Sequence, residues 1–402
     1  MADTSHNSSA NEETEVLVVG ASLAGLCAAY AAARGGAGTL LIDAAPEIGA
    51  RPNPATVLME PIWRRTSLPV PAEAIERELA GLRLGGPSGT GPLFHFRAVH
   101  LDRRTFDRSF AARAADAGAT IRSGARVGAA LPSGGVQTDA GPIRARITIF
   151  ADGANSAVRK VMPTMRNPQD VAWGLDQLLE APGIGETSHF GVRFGSFAPG
   201  WRAQLNPLGG DRASLWTFAR RVPQEDLVKH ARHTRRVFGL EQARILSERR
   251  GADPAFVKPG RIAGDGIIVC GAAAGQGGLE YGARAGLLAG KTAARAAREG
   301  DVSRNALAPY EKAWKRETAM EHRVLRWGME SLWHLSDWEL DTMFESLGGV
   351  ELGEKDLETL LRADPSIVSK VGAGRAAKLL PGLARGWFRA GVGRGRRFLT
   401  ET

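Results

Sequence analysis

The stretch Val16 to Asp43, VLVVGASLAGLCAAYAAARGGAGTLLID, constrains the fold of this chain more than any other. Four aliphatic residues, Val16 to Val19, make a short buried-strand pattern that breaks at Gly20, and an alanine-rich helical run from Leu23 to Arg34 follows at once. Gly35, Gly36 and Gly38 stop that helix, and a second apolar run, Thr39 to Ile42, ends in Asp43, about 20 residues beyond the turn. Strand, tight turn, helix and a second strand ending in an acid are the parts of a βαβ dinucleotide fingerprint. Gly20 lets the chain turn sharply and Gly25 lets the helix pack closely on the sheet. Ser22 and Ala24 complete the turn, where the helix N-terminus would face a pyrophosphate. Asp43 would accept hydrogen bonds from a ribose. Ser22 replaces the middle glycine of the fingerprint, so its hydroxyl is read as a phosphate donor.

The 402 residues suffice for two or three lobes, and 43% hydrophobic with 24% charged residues is a globular balance. The two cysteines, Cys27 and Cys270, lie inside apolar runs in no metal-binding or redox spacing, which predicts no metal site and a reduced, cytoplasmic protein. The N-terminal MADTSHNSSANEETE is polar and acidic and reads as disordered, with no signal-peptide core. No apolar run is long enough for a membrane span. From Lys370 onward eight Lys or Arg oppose the single Glu401, so much of the formal charge of +9 belongs to the tail. No nucleic-acid partner is expected, and the oligomeric state is not set by the sequence.

Pro46 to Pro71 is rich in Pro and Arg and reads as a long loop over a ligand site; Ala74 to Leu82 reads as a short amphipathic helix and Leu93 to Val99 as a strand. Thr105 to Ala117 has helical periodicity, with Phe106, Phe110 and Ala114 on one side. A buried strand, Ile147 to Phe150, runs into Asp152-Gly153, followed by Asn155, Ser156 and Arg159. From Ala172 to Arg220 the pattern alternates and carries aromatics, as antiparallel strands do, and Gln224 to Phe256 reads as polar helix. A further buried strand, Ile267 to Val269, enters a Gly-Ala turn and then a helix whose small residues are spaced for close packing. From Asn305 the chain reads as all helical, with five of its nine tryptophans and a capping box at Ser336 and Glu339.

In this order the pieces resemble the FAD-dependent geranylgeranyl reductases, within the larger group that includes p-hydroxybenzoate hydroxylase. The markers are GASLAG with Asp43, then Asp102 to Asp107 (DRRTFD), then Asp152-Gly153 with Ser156 and Arg159, then the late turn at Gly271, together with LSDWELDTMF near the C-terminus. The resemblance implies an α/β fold: a Rossmann-like FAD-binding domain with an inserted antiparallel-sheet substrate domain and a C-terminal helical lobe. The expected division is a disordered 1–14, FAD-binding domain 15–67, 92–165 and 258–300, substrate domain 68–91 and 166–257, and a helical region 301–402 with a basic tail. Arg103 and Asp152 would help hold FAD, and Gly153, Gly271, Ala272 and Gly275 would belong to the same site. The chain departs from the family in three places. Gly271-Ala272-Ala273-Ala274-Gly275 stands where the family has Gly-Asp-Ala-Ala-Gly, so Ala272 removes a ribityl acceptor whose hydrogen bond is worth roughly 0.5 to 1.5 kcal/mol. The loop after it is shortened. The lipid-reductase motif Tyr-x-Trp-x-Phe-Pro is replaced by Trp201-Arg202-Ala203-Gln204-Leu205-Asn206-Pro207.

The flavin would carry the redox chemistry while the protein orients it and supplies a proton and a field. The helix beginning near Leu279 would aim its N-terminal dipole at the flavin, with Glu280, Tyr281 and Arg284 as candidate proton donor and charge partner, or Glu280 and Arg284 as an ordinary i,i+4 pair. His95 and His100 are weaker candidates. A second nucleotide fingerprint is absent, so NADPH or another reductant would bind transiently. The leading expectation is an FAD-dependent reductase or dehydrogenase of secondary metabolism acting on an apolar, isoprenoid or polyketide-like small molecule. A flavin monooxygenase and a non-redox flavoprotein such as a cyclase remain open. The C-terminal Leu379, Leu380, Leu383, Trp387, Phe388 and Phe398, mixed with Arg385, Arg389, Arg394, Arg396 and Arg397, suit peripheral contact with an anionic membrane or a cap on the helical lobe. Five glycines between Gly382 and Gly395 argue against one long helix there.

Overall fold

The computed structural model describes residues 12–50, 55–131, 134–165, 168–254 and 257–398. Two compact units share the chain: Met1–Pro52, Arg103–Arg166 and Lys258–Lys315 form one, and Asn53–Asp102, Asn167–Val257 and Arg316–Thr402 the other.

In the first unit, β1 (Glu12–Val19) lies parallel to β2 (Thr39–Ile42) on one side and to the strand Gly141–Phe150 on the other. Thr120–Arg122 continues the parallel sheet beyond β2, and Ile267–Val269 continues it beyond Gly141–Phe150. Val16 to Val19 are buried, as a parallel strand covered on both faces must be. Residues 1–11 of the segment expected to be disordered lie outside the described residues, while Glu12 to Thr14 pair with Ile143 to Ala145. Between β1 and β2 runs α1 (Leu23–Arg34), started by a Ser22 cap and closed at Gly35. The helix Leu279–Glu299 crosses α1 through small residues: a Cβ on Gly286 would stand 2.1 Å from the Ala24 carbonyl oxygen, and one on Gly290 2.2 Å from that of Ala28. The helix Arg103–Asp116 buries Phe106, Phe110 and Ala114, the face its periodicity predicts.

The second unit is built on a nine-stranded sheet. Its order is Arg244–Asp253, Ala172–Glu180, Arg212–Ala219, Ala203–Gly209, His189–Arg193, Ile75–Gly85, Leu93–Leu101 and Glu351–Gly353, with Val57–Met59 also on Leu93–Leu101. Neighbours are antiparallel except His189–Arg193 with Ile75–Gly85 and Glu351–Gly353 with Leu93–Leu101. One face packs Phe94, Phe96, Phe190 and Phe194 against Leu340, Met343 and Phe344 of the C-terminal helices, with the Phe194 and Phe344 rings stacked at 5.8 Å.

Five local expectations change. The stretch 46–71, expected as a long loop, carries the strand Val57–Met59 and the short helix Glu60–Trp63, because Val57–Met59 pairs with Leu93–Leu101. Ile75–Gly85, expected as mostly helix, is a strand, because hydrogen-bonded neighbours on both sides override its helical propensity. Of the polar stretch 224–256, only Leu227–Val237 is a long helix, and Arg244–Asp253 is an edge strand. Its first seven residues are all exposed, so it has no apolar alternation from which a strand could be read. The C-terminal region contributes the strand Glu351–Gly353 as well as helices. Finally, Ala373–Phe398 is one helix despite its glycines. A Cβ on Gly386 would lie 2.1 Å from the Ser331 carbonyl oxygen, so close packing on the Arg304–Trp333 helix requires the glycine and outweighs its propensity cost of about 1 kcal/mol.

Candidate nucleotide-cofactor site

At the carboxyl end of the parallel sheet, the chain leaves β1 toward β2 on one side while Gly141–Phe150 lies on the other, a topological switch point of the kind that opens a nucleotide crevice. Gly20 turns there with φ 99°, and a Cβ on it would meet the Ala151 carbonyl oxygen at 2.7 Å. A Cβ on Gly25 would fall 1.9 Å from the Gly20 carbonyl oxygen, so the helix approaches the strand as the fingerprint requires. Ser22 differs from its expected role. Its Oγ accepts from Gly25 N–H at 3.3 Å and donates to the Ala151 carbonyl at 2.9 Å, so its proton is committed to tying the first turn to the Asp152 segment. Ala24 is buried, and its methyl is what a Cβ on Gly271 would strike at 2.7 Å.

Asp43 accepts from Ala21 N–H through one carboxylate oxygen and from Ala45 N–H through the other, both at 2.7 Å. It therefore braces the turn, and each oxygen keeps a lone pair for a ribose hydroxyl. Arg103 is buried and donates to Asp107 at 2.9 Å on the first turn of its helix. Asp152 is held by Ala157 N–H on Oδ2 at 2.8 Å, while its buried Oδ1 has no hydrogen-bond partner among the described residues. Burial raises its pKa, with the Ser156 hydroxyl and the Ala157 amide opposing the shift. That carboxylate oxygen can accept from a hydroxyl donor, and the adjoining Gly153, at φ 89°, leaves open space where a side chain would stand.

The late turn is rebuilt around a residue the sequence did not single out. Gly271 N–H donates to Gln276 Oε1 at 2.9 Å, Gln276 Nε2 donates to Tyr310 Oη at 3.0 Å, and Tyr310 O–H donates to the Val269 carbonyl at 2.9 Å. All of this is buried, with Gln276 1% exposed and Tyr310 fully buried. Ala272 carries no polar group, and Gly275 closes the turn at φ 76°. Gln276 is the one side chain with hydrogen-bonding capacity between Gly271 and Gly278, which is the signal that could have found it. After Gly278, the Leu279–Glu299 helix buries Glu280, Tyr281 and Arg284 in its first two turns, with Tyr281 edge-on to Trp314 at 6.3 Å. The two histidines are not brought into this unit: His95 is half exposed beside Glu351, and His100 is buried with Nδ1 2.8 Å from Glu76. Cys27 and Cys270 are free, buried thiols whose pKa burial pushes up. Among the described residues no cluster suited to a metal ion occurs.

Over 90% of its length the chain is 30% identical to digeranylgeranylglycerophospholipid reductase 1 of Methanothermobacter thermautotrophicus, covering 98% of that protein. This chain belongs to the geranylgeranyl reductase family of FAD-dependent oxidoreductases. No protein-family model matches it. Among solved structures, the fold of this reductase-family chain is shared with a geranylgeranyl bacteriochlorophyll reductase-like protein of Thermoplasma acidophilum. That match has a TM-score of 0.80 at 23% identity and covers 90% of this chain and 98% of the other. A halogenase, PltM, solved with phloroglucinol and FAD, matches with a TM-score of 0.64 at 15% identity over 90% of this chain and 86% of its own. The family's α/β architecture is thus present, and the chain is an oxidoreductase.

Proposed function

We propose that this chain is an FAD-dependent reductase that hydrogenates carbon–carbon double bonds of an isoprenoid-type lipid. The observation that carries the cofactor half is the braced turn: Gly20, Ser22, Ala24, Gly25 and Asp43 joined to an Asp152 whose buried Oδ1 lacks a hydrogen-bond partner among the described residues. In this reading the α1 N-terminus faces the pyrophosphate, Asp43 holds the ribose, and Asp152 takes a cofactor hydroxyl. Arg103 and Gly153 would belong to the same site, with Gly271, Ala272 and Gly275 as the wall of the late turn. Bound there, FAD would supply two-electron chemistry, fed by NADPH or another transiently bound reductant. Glu280, Tyr281 and Arg284 are the proposed proton donor and charge partners. Their burial at a helix N-terminus keeps water from competing for the proton and favours negative charge nearby. The substrate half rests on the relative named above, a digeranylgeranylglycerophospholipid reductase.

The test is the visible spectrum of the purified protein, followed by anaerobic titration with NADPH or dithionite. Flavin bands that bleach are expected; colourless protein that cannot be reconstituted with FAD sinks the proposal. Oxygen consumed in step with product would assign a monooxygenase instead.

Peripheral membrane contact is favoured by the C-terminal helix, where Leu380, Trp387 and Phe388 are 63%, 54% and 68% exposed on one side. Arg385 and Arg389 of the same helix reach Glu339, and Arg375 and Lys378 are exposed about two to three turns before Arg385. The side chains of Arg394, Arg396, Arg397 and Phe398 lie outside the described residues. Among the described residues no helix is long and apolar enough to cross a membrane. Cosedimentation with anionic phosphatidylglycerol vesicles should be lost in the triple variant Leu380→Ser, Trp387→Ser, Phe388→Ser. Equal pelleting of both proteins removes the surface role.

A further inference from the structure

The late turn closes on itself through one residue. Gln276 clasps Gly271 twice: its backbone N–H donates to the Gly271 carbonyl at 3.0 Å, and its side-chain Oε1 accepts from Gly271 N–H at 2.9 Å. Tyr310, on the Arg304–Trp333 helix, holds the Gln276 amide in turn. Its Oη accepts from Gln276 Nε2 at 3.0 Å, while its own proton goes to the Val269 carbonyl at 2.9 Å. Gln276 is 1% and Tyr310 0% exposed, so neither side chain is open to a bound molecule. The turn offers no polar side chain of its own either, since Ala272, Ala273 and Ala274 carry methyl groups alone. Whatever it presents to a ligand is main chain and van der Waals surface, and the shape of the turn sets the direction of both. Gly271 and Gly275 lie at φ 66° and 76°, and a Cβ on Gly271 would strike the Ala24 methyl at 2.7 Å, so the turn packs directly on the start of α1. Cys270 N–H donates to the Phe150 carbonyl at 2.9 Å, which ties the turn equally to the strand leading to Asp152.

We propose that Gln276 and Tyr310 are positioning residues for the cofactor: acting as one clasp, they hold the alanine turn in the shape that receives FAD, without touching it. The inference rests on the flavin reading above and deepens it, because it assigns the holding of that wall to two residues away from its surface. A turn that contacts its ligand through a side chain can absorb a small backbone shift by changing rotamer. A turn of alanines cannot, so its affinity depends on how firmly the main chain is held beforehand. A staple that joined only the helix to the strand would need Tyr310 and the Val269 carbonyl. The Gln276 link goes further, since it carries the same restraint to both polar groups of Gly271.

The experiment titrates the full chain, freed of flavin, with FAD for wild type, Tyr310→Phe, Gln276→Met and the double variant. Thermal unfolding and amide hydrogen exchange across residues 269–276 are recorded on the same proteins without FAD. Each single substitution should raise the FAD dissociation constant about fivefold, the worth of one neutral hydrogen bond, and alter the fine structure of the visible flavin bands. The double variant should bind no more weakly than the weaker single, because two parts of one clasp are not additive. Exchange across 269–276 should quicken in all three. Ser336→Ala, the loss of a helix cap in the other unit, should lower the unfolding temperature and leave FAD affinity unchanged. An affinity loss there as large as that of Tyr310→Phe overturns the proposal, since affinity would then merely follow stability. Tyr310→Phe keeps the ring and its packing, and it decides the matter alone if Gln276→Met does not fold. Wild-type affinity in Tyr310→Phe overturns the proposal whether or not its unfolding temperature falls, and so do effects that multiply in the double variant. A wild-type chain that takes up no FAD overturns the flavin reading and the clasp together, whereas variants that match a wild type that does take it up overturn the clasp alone.

Discussion

In the nucleotide unit, Gly20, Gly25, Gly271 and Gly286 each face a carbonyl or methyl group that a Cβ would strike, and the contacts that matter are made by backbone. The sheet unit is filled differently: Trp201, Trp216, Phe218 and Phe194 supply the bulk, and Asp176, Asn206 and Ser214 are buried with them. The first kind of interior is fixed by what must be absent from a side chain. The second is fixed by which large and polar groups happen to meet across strands. A change in the first should therefore fail by collision and a change in the second by loss of a partner, and the two failures differ in size.

The largest effect is expected for Gly286→Ala. Its Cβ would sit 2.1 Å from the Ala24 carbonyl oxygen, with Cys27 Cβ at 3.0 Å, so neither helix can yield without moving the other. A loss of about 3 kcal/mol is expected by urea unfolding, at the upper end of overpacking costs. Gly128→Ala, whose Cβ would meet only the Gln137 carbonyl oxygen at 3.8 Å, should be near neutral. Similar losses in both would break the collision argument. Next comes Asp43→Lys, which strips the acceptor from Ala21 and Ala45 N–H and sets a cation beside the proposed adenosine. Bonds to a charged acceptor are worth about 1.5 to 3 kcal/mol each, so flavin affinity should fall at least tenfold in an equilibrium titration. Wild-type flavin content would take Asp43 out of the site.

In the sheet unit, Asp176→Ala removes the shared acceptor of Ser214 and Arg249. Arg249 is 41% exposed and can return to water, which limits the expected cost to about 1 to 2 kcal/mol in thermal unfolding. A loss as large as that of Gly286→Ala would show that polar partners, not shape, dominate both interiors. The smallest effect is acid-dependent. Arg389, followed by the Ser336 N-cap, holds the Glu339 carboxyl down to about 2 from a usual 4.5. A carboxyl depressed in the folded state contributes stability that is complete above 4.5 and is lost as pH falls toward 2. Wild type should thus lose a little stability in that window that Arg389→Ala has already lost at neutral pH. Arg389 is half exposed and the pair is screened by solvent, so the difference should be the smallest of the four. Parallel pH profiles of the two proteins by circular dichroism would show that the pair contributes nothing.

The sequence by itself determined the strand–turn–helix–strand order at the start of the nucleotide unit. Glycine at Gly20, Gly25 and Gly286 and an acid at Asp43 answer to local backbone geometry and short-range spacing, and such demands are written along the chain. It also marked Asp152, the capping box at Ser336 and Glu339, and the buried stripe of the Arg103–Asp116 helix, each again a matter of a few neighbouring positions. Only the tertiary structure decided what depends on distant partners. Ile75–Gly85 is a strand because strands far along the chain pair with both its edges, and Ala373–Phe398 stays helical because Gly386 fits against Ser331. Ser22 gives its proton to Ala151, 129 residues away, instead of keeping it for a phosphate. Gln276 ties the late turn at Gly271 because Tyr310, 34 residues on, completes its network. Trp216 and Asn206 share a face with Asp176 only once four strands have aligned in register, and no periodicity within one strand carries that information.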